Sequence, residues 1–116
     1  MGEERDVLAL AIQIYVPDNF DWMRYEITKT NYLTYHHIIS RRYGSTDLSN
    51  CALLTKNAHH KLNRLYHKNP LVYDEWQILF RAINDSMAPP TEEHIARALE
   101  LRHYTGRKYY GKGMDL

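Results

Sequence analysis

Apolar residues recur at Val72, Trp76, Leu79, Phe80 and Ile83, spaced i, i+4, i+7, i+8 and i+11. That spacing predicts a helix over 71–84 with one buried face. Val7, Leu10, Ala11 and Ile14 repeat the helical period and predict another helix over 6–16, which Pro17-Asp18-Asn19 stops. Thr91 is placed to cap a last helix over 91–104, with Ile95, Ala98 and Leu99 on one face and Gly106 at its end.

The middle of the chain has a different texture. FDWMRYEIT and NYLTYHHII are rich in aromatic and β-branched residues, and Tyr32 to Ile39 suits a strand. Arg41 to Asn50 holds Gly44, Ser45, Asp47 and Ser49, a turn composition, and CALLT at 51–55 is short enough to be the returning strand of a hairpin. Thr55 can cap a helix over 56–67 that Asn69-Pro70 ends. The order helix, hairpin, helix, helix, helix implies a small α+β domain over residues 1–105. The remainder, RKYYGKGMDL and its preceding glycine at 106–116, reads as a flexible basic tail.

Composition narrows the setting. A chain of 116 residues, 44% hydrophobic and 25% charged, has the size and balance of one domain. No apolar run reaches the roughly 18 residues that span a bilayer. The first residues, MGEERDV, are acidic where an export signal is basic. Cys51 is the only cysteine, which excludes an internal disulfide and a CxxC zinc pair. A reducing, cytoplasmic location is the expectation.

The net charge of +1 carries little information, but its distribution does. Glu3, Glu4, Asp6, Asp18 and Asp21 crowd the start, while residues 36–69 carry Arg41, Arg42, Lys56, Lys61, Arg64 and Lys68 against the single acid Asp47. Five histidines, His36, His37, His59, His60 and His67, fall inside this basic stretch. On a helix over 56–67, His59 and Asn63 lie one turn apart on one face, where two side chains can reach one ion. His36 or His37, on a strand packed against that helix, would supply a third ligand. Strand neighbours point to opposite sides, so the adjacent histidines should have different roles. One would hold a cation while the other, neutral near pH 7, accepts a proton from water.

The stretch YHHIISRRYGSTDLSNCALLTKNAHHKLN resembles the HNH nuclease motif, also called the ββα-metal or His-Me finger, over about residues 32–67. The resemblance implies that His36 ligates a divalent ion, that His37 is the general base, and that Asn50 holds the loop and orients the base. It places the family's helical ligand on His59, nine residues after Asn50, and a further ligand on Asn63. The departures are also specific. The positions where many family members carry zinc-binding cysteines are Thr55 and Ala58, so flanking helices must stabilise the finger, and the usual Gly-Gly of the loop is Gly44-Ser45.

The activity so implied is phosphodiester hydrolysis in DNA, with RNA not excluded, leaving 5′-phosphate and 3′-hydroxyl ends. Arg41 or Arg42 would bind a flanking phosphate, and Lys61 and Arg64 would extend the nucleic-acid face. One divalent ion is implied: two imidazoles favour zinc, nickel or manganese, while magnesium prefers oxygen. A homodimer would suit double-strand cutting by a one-site enzyme. Free-standing enzymes of this type are common in phages. The alternative is a catalytically quiet module of the same shape that binds nucleic acid or a protein partner, such as a phage inhibitor of host defence.

Overall fold

The stripe Val72, Trp76, Leu79, Phe80 and Ile83 is buried along its whole length, at the centre of the described core. A computed structural model describes residues 2–105. It consists of α1 (Gly2–Tyr15), β1 (Leu33–His37), a single 3₁₀ turn (Leu48–Asn50), β2 (Cys51–Thr55), α2 (Lys56–Lys68), α3 (Pro70–Ser86) and α4 (Glu92–Thr105). The architecture is α+β, four helices with one antiparallel hairpin of β1 and β2. The expected tail at 106–116, with the Gly106 helix stop, lies outside the described residues. No described helix is long and apolar enough to cross a membrane.

Local chemistry explains the boundaries. Asp47 caps the 3₁₀ turn by accepting from the Ser49 N–H, and Thr55 caps α2 by accepting from the Ala58 N–H. Asn69 serves two helices. Its N–H donates to the Leu65 carbonyl at the end of α2, and its side chain accepts from the Val72 N–H at the start of α3. Pro70 then occupies the first turn of α3, where a missing N–H is harmless. After α1, Val16 turns left-handed at φ 42° and Pro17 prevents continuation.

The register of two helices differs from the sequence-based expectation. In α1 the inward face is Val7, Ala11, Ile14 and Tyr15, while Leu10 is exposed. In α4 the buried positions are Ala98, Leu101 and Thr105, and Leu99 faces outward. Thr105 is buried because it accepts from the Trp76 indole at 2.7 Å, a polar pairing that an apolar period does not reveal. The strand is also shorter than Tyr32–Ile39, because backbone pairing runs only from Leu33↔Thr55 to His37↔Cys51.

Hydrogen bonding as well as packing attaches the hairpin to the helices. Along α3, Gln77 donates to the Ile38 carbonyl, Arg81 to the Ser49 carbonyl, and Asn84 to those of Leu48 and Cys51. These positions lie on one side of the helix, next to the apolar stripe. They satisfy loop carbonyls that would otherwise be unpaired against an apolar helix. On the other side, the buried Asp21 carboxylate accepts from the N–H and hydroxyl of Thr55 and from the N–H groups of Met23 and Tyr25. The irregular segment 16–32 is thereby fastened to the start of α2.

Candidate metal centre

Alternation along β1 sends Thr34 and His36 toward α2 and α3, and Tyr35 and His37 toward the loop. His36 is 6% exposed, edge-on to Phe80 with ring centroids 5.6 Å apart. Its Nε2 lies 2.8 Å from Gln77 Oε1. His59, in the first turn of α2, stands with Nδ1 3.0 Å from Thr34 Oγ1. The two rings are nearly perpendicular, and His36 Nδ1 faces His59 Nε2 at 3.4 Å. Asn63, one turn further along α2, lines an open depression of about 230 Å³ with His59, Thr34, Lys56 and His60.

These distances fit a shared ion. Two imidazole nitrogens held at 2.0–2.1 Å by one tetrahedral ion lie about 3.3–3.4 Å apart. The facing nitrogens already have that separation. Among the described residues no group of three or more His, Cys, Asp or Glu converges in this way. The donor set is two imidazoles with an amide side chain beside them.

His37 occupies the next position on the opposite side of the strand. Its Nε2 lies 2.8 Å from Thr46 Oγ1, and its ring meets Tyr35 edge-on at 4.6 Å. Asn50, 3% exposed, closes the loop between the strands. Its Oδ1 accepts from the Ile39 N–H at 2.7 Å, and its amide donates to the carbonyls of Ile39 and Ser45. Gly44 makes this closure possible, because a Cβ there would sit 2.7 Å from Asn50 Nδ2 and 2.8 Å from the Ile39 carbonyl. Gly44→Ala should therefore open the loop and destabilise the protein by about 1–3 kcal/mol, read as a lower urea midpoint with an unchanged slope. An alanine variant as stable as wild type would show that the loop is not closed this tightly.

Burial keeps the imidazoles neutral. Desolvation pushes His36 from 6.5 down to about 4, against the favourable Gln77 contact and aided by His59 and His37. Desolvation also lowers His59, with His60 and His37 adding to the effect and Glu4 opposing it. His37 is lowered in turn by burial, with Glu4 opposing and Arg41 assisting. Between pH 6.5 and 4 the unfolded chain therefore binds more protons than the native state, so stability rises with pH there and is lost on acidification. For the metal-free protein, His36 alone should account for a loss on the order of 3 kcal/mol across that window. Urea unfolding at stepped pH checks it, and His36→Gln should flatten the curve.

The cations are distributed around this centre. Arg41 pairs with Glu4 at 2.6 Å and is otherwise exposed, and Arg42 lies over the Tyr43 ring at 5.6 Å. Lys61 is two positions beyond His59, about 200° around the helix, and lies 5.6 Å from the Tyr25 ring instead. Arg64 is exposed on α2 and does not line the depression. Lys56 and His60 are the basic side chains that flank His59. The residues that sequence reasoning missed are Thr34, Thr46 and Gln77. Only Gln77 leaves a trace in the chain: with Asn84 it forms a pair of amides seven residues apart along the edge of the apolar stripe. Compared with protein-family models, curated proteins and solved structures, the chain gives no match.

Proposed function

We propose that this chain is a metal-dependent nuclease of the HNH type, built on a ββα finger of β1, β2 and α2, that hydrolyses phosphodiester bonds in DNA. The observation that carries this reading is the approach of His36 Nδ1 to His59 Nε2 at 3.4 Å. These two nitrogens would hold the divalent ion, with Asn63 lining the depression beside His59. When bound, the ion supplies positive charge to the phosphate and leaving oxygen.

The chain's own groups do the rest. Thr46 holds His37 Nε2, so the ring would take a proton from water at Nδ1. For this, Nε2 would carry the ring's N–H and donate it to Thr46 Oγ1, leaving the lone pair on Nδ1, while burial keeps the ring neutral. Asn50 fixes the loop that carries Thr46 and so sets the ring's orientation. Arg41 flanks this side together with Thr46, and would exchange its Glu4 carboxylate for a phosphate oxygen.

Incubation of supercoiled plasmid with the protein and manganese or magnesium should yield nicked and linear DNA with 5′-phosphate ends. Folded protein that leaves plasmid intact across manganese, magnesium, zinc and nickel overturns the reading. Calorimetry with the same ions then separates a quiet ion-binding module from a chain that binds no ion.

A further inference from the structure

Gln77 lies on α3, outside the segment 32–67 that carries the finger. We propose that Gln77 is a positioning residue that makes Nδ1, and not Nε2, the ion-facing nitrogen of His36. This rests on the ion site above, but not on cleavage.

The argument starts from groups whose role is unambiguous. A backbone carbonyl can only accept. The Gln77 amide nitrogen donates to the Ile38 carbonyl, which turns Oε1 toward His36. Oε1 can only accept, so at 2.8 Å the proton between them belongs to His36 Nε2. Neutral imidazole carries one N–H, so His36 Nδ1 bears a lone pair.

The same logic runs through the neighbouring ring. Thr34 donates its hydroxyl to the Leu54 carbonyl at 2.7 Å. Its oxygen must therefore accept from His59 Nδ1–H at 3.0 Å, which leaves His59 Nε2 with a lone pair. The two nitrogens that face each other at 3.4 Å are thus both unprotonated. In a purely structural cluster one would donate to the other. Two lone pairs aimed at one point repel unless a cation lies between them. Ligating histidines commonly hold their second nitrogen on an acceptor in this way.

Gln77 has a further consequence for the site. The side chain that fixes His36 also ties the Ile38 carbonyl to α3. Docking of α3 and orientation of the ligand are therefore one event, and the finger segment alone would lack this control.

The test uses the full chain, metal-free at pH 7.5, with nitrogen-15 imidazole spectra and zinc titration calorimetry. Wild type should show His36 as the Nε2–H tautomer, and Gln77→Leu should mix the tautomers and lower zinc affinity by about 10- to 100-fold. Gln77→Glu keeps the acceptor but loses the donor to Ile38. It should retain the Nε2–H form and bind zinc at least as tightly as wild type, which loss of folding alone would not produce. A wild-type His36 protonated at Nδ1, a Gln77→Leu protein with wild-type tautomer and affinity, or a Gln77→Glu protein as weak as the leucine variant would each overturn the inference. Wild-type protein that binds neither zinc, manganese nor nickel would overturn it together with the ion site. Loss of cleavage with zinc binding intact would overturn only the nuclease reading.

Discussion

Replacing His37 by alanine should lower plasmid cleavage by about 10² to 10⁴-fold while leaving divalent-ion affinity unchanged. The two effects separate because adjacent strand residues face opposite ways: His36 points to α2 and α3, and His37 to Thr46 and the loop. Removing the His37 ring would take away the proposed proton acceptor without touching either nitrogen of the 3.4 Å pair. It also costs the fold little, since the ring is half-exposed and its hydrogen-bond partner Thr46 can turn to solvent. Single-turnover cleavage and calorimetry on the same preparation check the expectation. A variant that loses ion binding in parallel with cleavage would show that His37 is a ligand. One that cleaves at the wild-type rate would remove it from the chemistry altogether.

His59→Ala should have the opposite signature. One of two imidazole donors disappears, and affinity for zinc or manganese should fall by at least about a hundredfold, beyond what loss of a supporting residue produces. An ion at a hundred times its dissociation constant raises the stability of the protein that binds it by about 2.7 kcal/mol. Wild type should gain thermal stability under those conditions, and the variant should gain none at the same ion concentration. Without ion the variant should fold normally, because the Thr34 hydroxyl keeps its bond to the Leu54 carbonyl when His59 is gone. Thermal unfolding with and without manganese, together with calorimetry, distinguishes the cases. Equal ion-induced stabilisation in wild type and variant would place the ion elsewhere.

Much of this molecule could be read from local pattern. The α3 stripe, the returning strand Cys51–Thr55, the Thr55 cap and the Asn69-Pro70 break depend on side-chain spacing and capping chemistry within a few residues, and all stand where expected. The helical spacing offered His36 or His37 as the partner of His59, and only the resemblance to the HNH motif singled out His36 and His59. Their facing nitrogens depend on a strand and a helix meeting at a distance that sequence does not encode directly.

Tertiary structure decided the rest. Leu10 and Leu99 follow the helical period but face outward, because inward positions are set by which neighbour each helix meets. Asp21, one of the acids that crowd the start of the chain, is buried against Thr55, thirty-four positions away. Gln77 reaches His36 across forty-one positions. Periodicity and capping are energies between near neighbours, so the sequence by itself determined which segments become helices and strands, and the boundaries that Thr55 and Asn69-Pro70 fix. Which imidazole nitrogen carries a proton depends on acceptors brought from distant segments, and only the packed chain brings them within hydrogen-bonding distance.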